Sequence, residues 1–96
     1  MTTEQKELFQ DAVLRVLDAN QTRYGLGIPA IAHLITPFGF SRAGFPSEEA
    51  FHSGIADALQ YWTDKHFAEQ VSRPAHRGNR VWRITPEGID YLDERG

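Results

Sequence analysis

The 96-residue sequence contains no cysteine. This excludes disulfides, thiolate nucleophiles and cysteine-ligated zinc, and it agrees with a reducing compartment. No apolar run approaches the roughly 20 residues that a membrane-crossing helix requires. The opening MTTEQKELFQ lacks the apolar core of a secretory signal. The expectation is a soluble cytoplasmic protein without membrane contact. A glycine-rich phosphate loop and a GxSxG nucleophile elbow are both missing. His33, His52, His66 and His76 form no compact set with carboxylates at metal-ligand spacing. The pairs His52/Asp57 and Asp64/His66 have spacings that do not share a helix face. No enzyme, cofactor or metal site is therefore expected.

Acid is lacking in one stretch. The net charge is −3, and residues 1–70 and 84–96 are both acidic. Residues 71–83 carry four arginines and no Asp or Glu. A concentrated positive segment on an acidic body attracts phosphate locally even when the whole chain is negative. The 41% apolar and 11% aromatic content belongs to a folded chain. Its length suits a single domain over 1–96 with a modest core.

Capping signals divide the chain. Thr2 and Gln5 have capping-box spacing, so a first helix is expected from about Thr3 to Asn20, ahead of Tyr24-Gly25-Leu26-Gly27. Leu8, Phe9, Ala12, Val13, Val16 and Leu17 form its apolar stripe. Leu14 falls nearly opposite, as an exposed leucine or as a dimer contact. Pro29 suits the start of a short second helix, with Ile31, Leu34 and Ile35 inward and His33 structural. Thr36-Pro37 ends it, because a residue before proline is pushed out of the helical region. Phe38, Phe40 and Phe45 in the following loop either fold back over the core or form an edge that binds a protein partner or a ligand.

Ser47 is expected to cap a third helix, with Glu48 and Glu49 at its positive end. Phe51, Ile55, Ala58, Leu59 and Trp62 make one buried stripe. The opposite side carries His52, Ser53, Ala56, Gln60 and Thr63, small or hydrogen-bonding residues that suit either a groove or plain solvent. Strands are expected over 67–72 and 80–85, joined by Arg73–Asn79 with Gly78-Asn79 as turn residues. In the second strand, Trp82 and Ile84 should face inward and Val81 and Arg83 outward. Thr85-Pro86-Glu87 then starts a fourth helix packed through Ile89, Tyr91 and Leu92.

The segment Ala58–Leu92, ending in GNRVWRITPEGIDYL, resembles the wing and following helix of PadR-like and MarR-like transcription regulators. The residues that carry the resemblance are Trp82, Ile84, Thr85, Pro86, Glu87 and Gly88. It implies a mainly α fold with a small β-hairpin (α+β). More specifically, it implies a winged helix-turn-helix with a three-helix core, a wing and a C-terminal helix. It also implies that the third helix enters the major groove of double-stranded DNA through Ser47, His52, Ser53, Ala56 and Gln60. Arg73, His76, Arg77 and Arg80 would hold the phosphate backbone. Arginine suits that role through its fixed charge and forked donors, and glutamine can pair with an adenine edge. Residues 36–46 exceed the tight turn usual between the two helices of such a motif. Glu48, Glu49 and Asp57 would repel phosphate if they faced it. A homodimer would form through the first or fourth helix or the aromatic loop. The alternative is a winged helix that binds protein and not DNA.

Overall fold

The computed structural model describes residues 2–22, 24–71 and 80–95. Its first helix, α1 (Thr3–Ala19), starts at the expected capping box. Thr2 Oγ1 accepts from the Gln5 N–H at 3.2 Å, and the Gln5 side chain accepts from the Thr2 N–H at 3.1 Å. At the other end the Asn20 N–H and side-chain amide both donate to the Val16 carbonyl. The stripe expectation needs two corrections. Leu14, expected outside as a lone leucine or dimer contact, is completely buried, whereas Leu8 is 56% exposed. The reason is that α1 is central: α2, α3, α4 and the sheet all pack against it. The buried arc therefore wraps more than half of the helix, and a single-stripe reading undercounts it.

Helix α2 (Ile28–Leu34) has Pro29 in its first turn, Ile31 buried and His33 exposed, with the flanking Ile35 also buried. The chain then makes two 3₁₀ turns, Thr36–Phe38 and Arg42–Gly44. These fill the unusually long interval before the next helix. Phe40 and Phe45 lie with ring centroids 5.1 and 5.3 Å from Phe9, and Phe45 lies 4.9 Å from Phe51. Phe38, Phe40 and Phe45 are thus half-buried against the core and do not stand out as an edge for a partner.

Helix α3 (Glu48–Asp64) is capped by Ser47, whose Oγ accepts from the Ala50 N–H at 3.0 Å. All five residues of its expected stripe are buried. The Trp62 indole N–H donates to the Gln10 carbonyl at 2.7 Å and ties α3 to α1. The helix ends through His66, in the left-handed region at φ 65°. Its N–H donates to Thr63 O, and the Phe67 N–H donates to Trp62 O at 2.9 Å. Glycine suits such a terminating position better than any residue with a Cβ. His66→Gly should therefore raise stability by about 0.5–1 kcal/mol in urea titration, after allowing for the looser unfolded chain. A loss of stability would mean that the imidazole, not the backbone, matters there.

Strands β1 (Ala68–Val71) and β2 (Val81–Ile84) pair antiparallel, with Ala68 opposite Ile84 and Val71 opposite Val81. β1 starts one residue later than expected and β2 is one residue shorter at each end, although the Thr85 N–H still reaches Phe67 O at 3.0 Å. Trp82 and Ile84 are buried and Arg83 is exposed, as the alternation requires. Val81, expected outside, is also buried because the start of α2 crosses it: a Cβ placed on Gly27 would lie 4.0 Å from Val81 Cγ1. The same crossing adds a third rank to the sheet. Leu26 and Trp82 exchange both backbone hydrogen bonds, at 2.7 and 2.8 Å. Gly25 makes that approach possible, since at φ +77° a Cβ would stand 2.8 Å from Trp82 O.

Helix α4 (Pro86–Arg95) begins at Thr85. Thr85 Oγ1 accepts from the Gly88 N–H at 3.1 Å and donates to His66 O at 2.7 Å. The Tyr91 ring lies 5.4 Å from Trp62 and 4.8 Å from Phe67, centroid to centroid. Arg95 pairs with Asp11 at 3.1 Å and donates to the Tyr91 hydroxyl. These two partners, Tyr91 first, raise the guanidinium pKa above its ordinary value. No helix among the described residues is long and apolar enough to cross a membrane.

Candidate nucleic-acid interface

The buried stripe of α3 fixes what its other side presents. Ser53, Asp57 and Gln60 are exposed, and Ala56 is half-buried. Ala56, Asp57 and Gln60 form one wall of a groove of about 730 Å³. Gly27, Ile28, Pro29 and Ala30 make the second wall, and Arg80, Val81 and Trp82 make the third. The groove is a consequence of the Leu26–Trp82 pairing, which draws the start of α2 alongside β2 and opposite α3.

Three of the expected site residues, Ala56, Gln60 and Arg80, meet in this groove. Three others are described but lie outside its lining. Ser47 is at the cap, His52 is half-buried with its ring 6.1 Å from Phe51, and Ser53 is on the exposed face one turn ahead of Asp57. Arg73, His76 and Arg77 lie outside the described residues, as do the Gly78-Asn79 turn and the strand end at Ser72.

The Gln60 amide donates to Asp64 Oδ1 at 2.8 Å. This leaves its Oε1 and its second amide hydrogen free for another partner. Arg80 is exposed, and among the described residues it has no ion-pair partner. Arg83 differs: it pairs with Glu69, the residue opposite it in the sheet register. One of the four charges in the basic run is therefore already compensated by an acid of the fold. Glu48 and Glu49 are exposed in the first turn of α3 and do not line the groove.

By its charge alone, Asp57 is a source of repulsion if it faces phosphate. The structure places it in the groove between Ala56 and Gln60. The signal was present in the spacing, because a residue three before Gln60 shares its helix face.

A central helix, a short α2, the groove-lining α3 and a sheet whose middle strand is β2 define a winged helix-turn-helix, mainly α with a small β component. Among solved structures it matches the PcaV transcriptional regulator from Streptomyces coelicolor, determined in complex with its natural ligand. The TM-score is 0.54 and the identity 21%, over 94% of this chain and 49% of that one. This chain thus spans about half the length of that protein. No protein-family model matches the sequence, and no curated protein matches it either.

Proposed function

We propose that this chain is a non-enzymatic DNA-binding domain of a cytoplasmic transcription regulator. The observation that carries the reading is the meeting of Ala56, Gln60 and Arg80 in one groove, Arg80 having no ion-pair partner among the described residues. Helix α3 enters the major groove. Ser53 and Ala56 are small enough to allow close approach, Ser47 and His52 flank them, and Gln60 uses its free Oε1 and N–H on an adenine edge. Arg80, with Arg73, His76 and Arg77 in the adjoining segment, holds phosphates and so sets the register of the helix. A palindromic site would then be read by two copies of the chain. The fold likeness to a protein described as a transcriptional regulator supports the same reading. The protein-binding alternative is not favoured, because Phe38, Phe40 and Phe45 pack against the core.

Binding to a mixed-sequence duplex, followed by fluorescence anisotropy across a salt series, tests this reading. Each phosphate contact contributes about −0.9 to the slope of log K against log salt. Changing Arg73, Arg77 and Arg80 together to alanine should flatten that slope by about three units, while Arg83→Ala should leave it unchanged. A triple variant that binds like the parent would show the phosphate assignment to be wrong.

A further inference from the structure

We infer that Asp57 is a base-reading residue that selects cytosine on the strand it faces, a role that rests on the DNA-binding reading above. An acid on a DNA-facing helix has two possible effects. Near a phosphate it only repels. Near the floor of the major groove it accepts a hydrogen bond from a base and gives specificity.

The position of Asp57 decides between them. The buried stripe of α3 is Phe51, Ile55, Ala58, Leu59 and Trp62. At 100° per residue, Asp57 and Gln60 fall on the side facing directly away from that stripe. Both line the groove, and Asp57 has no hydrogen-bond or ion-pair partner among the described residues. The cation nearest in function, Arg80, stands on a different wall, at the root of β2. A helix seated in a groove about 12 Å wide points its outermost side chains at the base edges, while residues on flanking elements reach the phosphate rims. Asp57 is on the first kind of position and Arg80 on the second.

The chemistry of the base edges narrows the target. A carboxylate only accepts hydrogen bonds. Guanine offers N7 and O6, both acceptors, and thymine offers O4 and a methyl group. Adenine offers a donor at N6 but an acceptor at N7 beside it. Cytosine alone offers a donor, N4, with no acceptor next to it. Asp57 therefore favours cytosine and disfavours guanine most strongly. Gln60 is three residues on, about 4.5 Å along the helix axis, so the two side chains address neighbouring base pairs.

The test is selection from a duplex library with a randomised central block, with sequencing of the bound fraction, for the parent chain and for Asp57→Asn. The change is nearly isosteric at an exposed position, so folding is checked only by far-UV circular dichroism. The parent should enrich cytosine at one position by about 10-fold or more over guanine, within the range expected for a good side-chain–base pair. Asp57→Asn should lose that preference there and keep the others, while binding mixed duplex more tightly as a repulsive charge is removed. If Asp57→Asn binds more tightly but keeps the parent's base ranking at every position, Asp57 only repels. The inference then fails while DNA binding stands. If neither protein binds any duplex at low salt, the DNA-binding reading itself fails, and this one with it.

Discussion

Gly88→Ala should lower the melting temperature by about 12 °C or more. An ideal Cβ at Gly88 would stand 2.2 Å from the Phe67 carbonyl oxygen, 3.0 Å from its carbon and 2.8 Å from Ile84 Cγ1. The first two obstacles are backbone, and the Phe67 oxygen is held by the Thr85 N–H at 3.0 Å. Relieving the overlap means pulling α4 off the end of the sheet, and with it the Thr85 hydroxyl that bridges His66 O and the Gly88 N–H. Overpacking of this kind costs about 1–3 kcal/mol and occasionally more; two backbone obstacles put this site at about 3 kcal/mol. At about 4–8 °C per kcal/mol for a domain of this size, the shift follows. The sign is informative, because helix propensity alone favours alanine over glycine by about 1 kcal/mol. Gly44→Ala, with nothing within 4 Å of the added carbon, is the control and should stay within about 0.5 kcal/mol of the parent. If Gly88→Ala melted with the parent or above it, close approach would not be the reason for the glycine.

The second large effect is expected at Trp62. This side chain is 2% exposed and its indole N–H donates to Gln10 O at 2.7 Å. Its ring centroid lies 5.8 Å from Phe67 and 5.4 Å from Tyr91, so α1, α3, α4 and the turn before β1 all meet on it. Trp62→Ala should cost about 3–5 kcal/mol through the cavity it leaves. That is a large part of the roughly 5–14 kcal/mol available to a chain of this length. Trp62→Phe keeps most of the volume but removes the donor, and should cost about 1–2 kcal/mol. Urea midpoints for the two variants separate the contributions. If both cost the same, the hydrogen bond outweighs the packing; an alanine loss under about 2 kcal/mol would remove Trp62 from the centre of the core.

Thr2 with Gln5, Ser47, and Thr85 with Pro86 act through hydrogen bonds and backbone preferences within a few positions, so the helix starts were legible from local sequence. The α3 stripe was legible because that helix buries one face. Leu14 was misplaced for the opposite reason: α1 is enclosed by several elements, and periodicity assumes one partner. The Leu26–Trp82 pairing left no local pattern, since one residue cannot alternate, and only Gly25 marked the close approach. Arg80 was singled out by its charge, and the structure puts it in the groove. Charge alone marks Asp57 as repulsive, whereas its position on α3 relative to Gln60 is what puts it in the groove lining.

The Leu26–Trp82 pairing also bears on how the chain comes to be folded as it is synthesised. The residue that completes the Leu26 hydrogen bonds lies beyond α2, α3 and β1, in the last fifth of the chain. Until Trp82 has left the ribosome, Leu26 has no sheet to join and the cover that β2 and α4 give to α1 is missing. Closing such a distant pair restricts a long intervening segment, so it belongs to the slow part of assembly. The groove between α2, α3 and β2 is therefore incomplete until β2 has been made and has paired with Leu26.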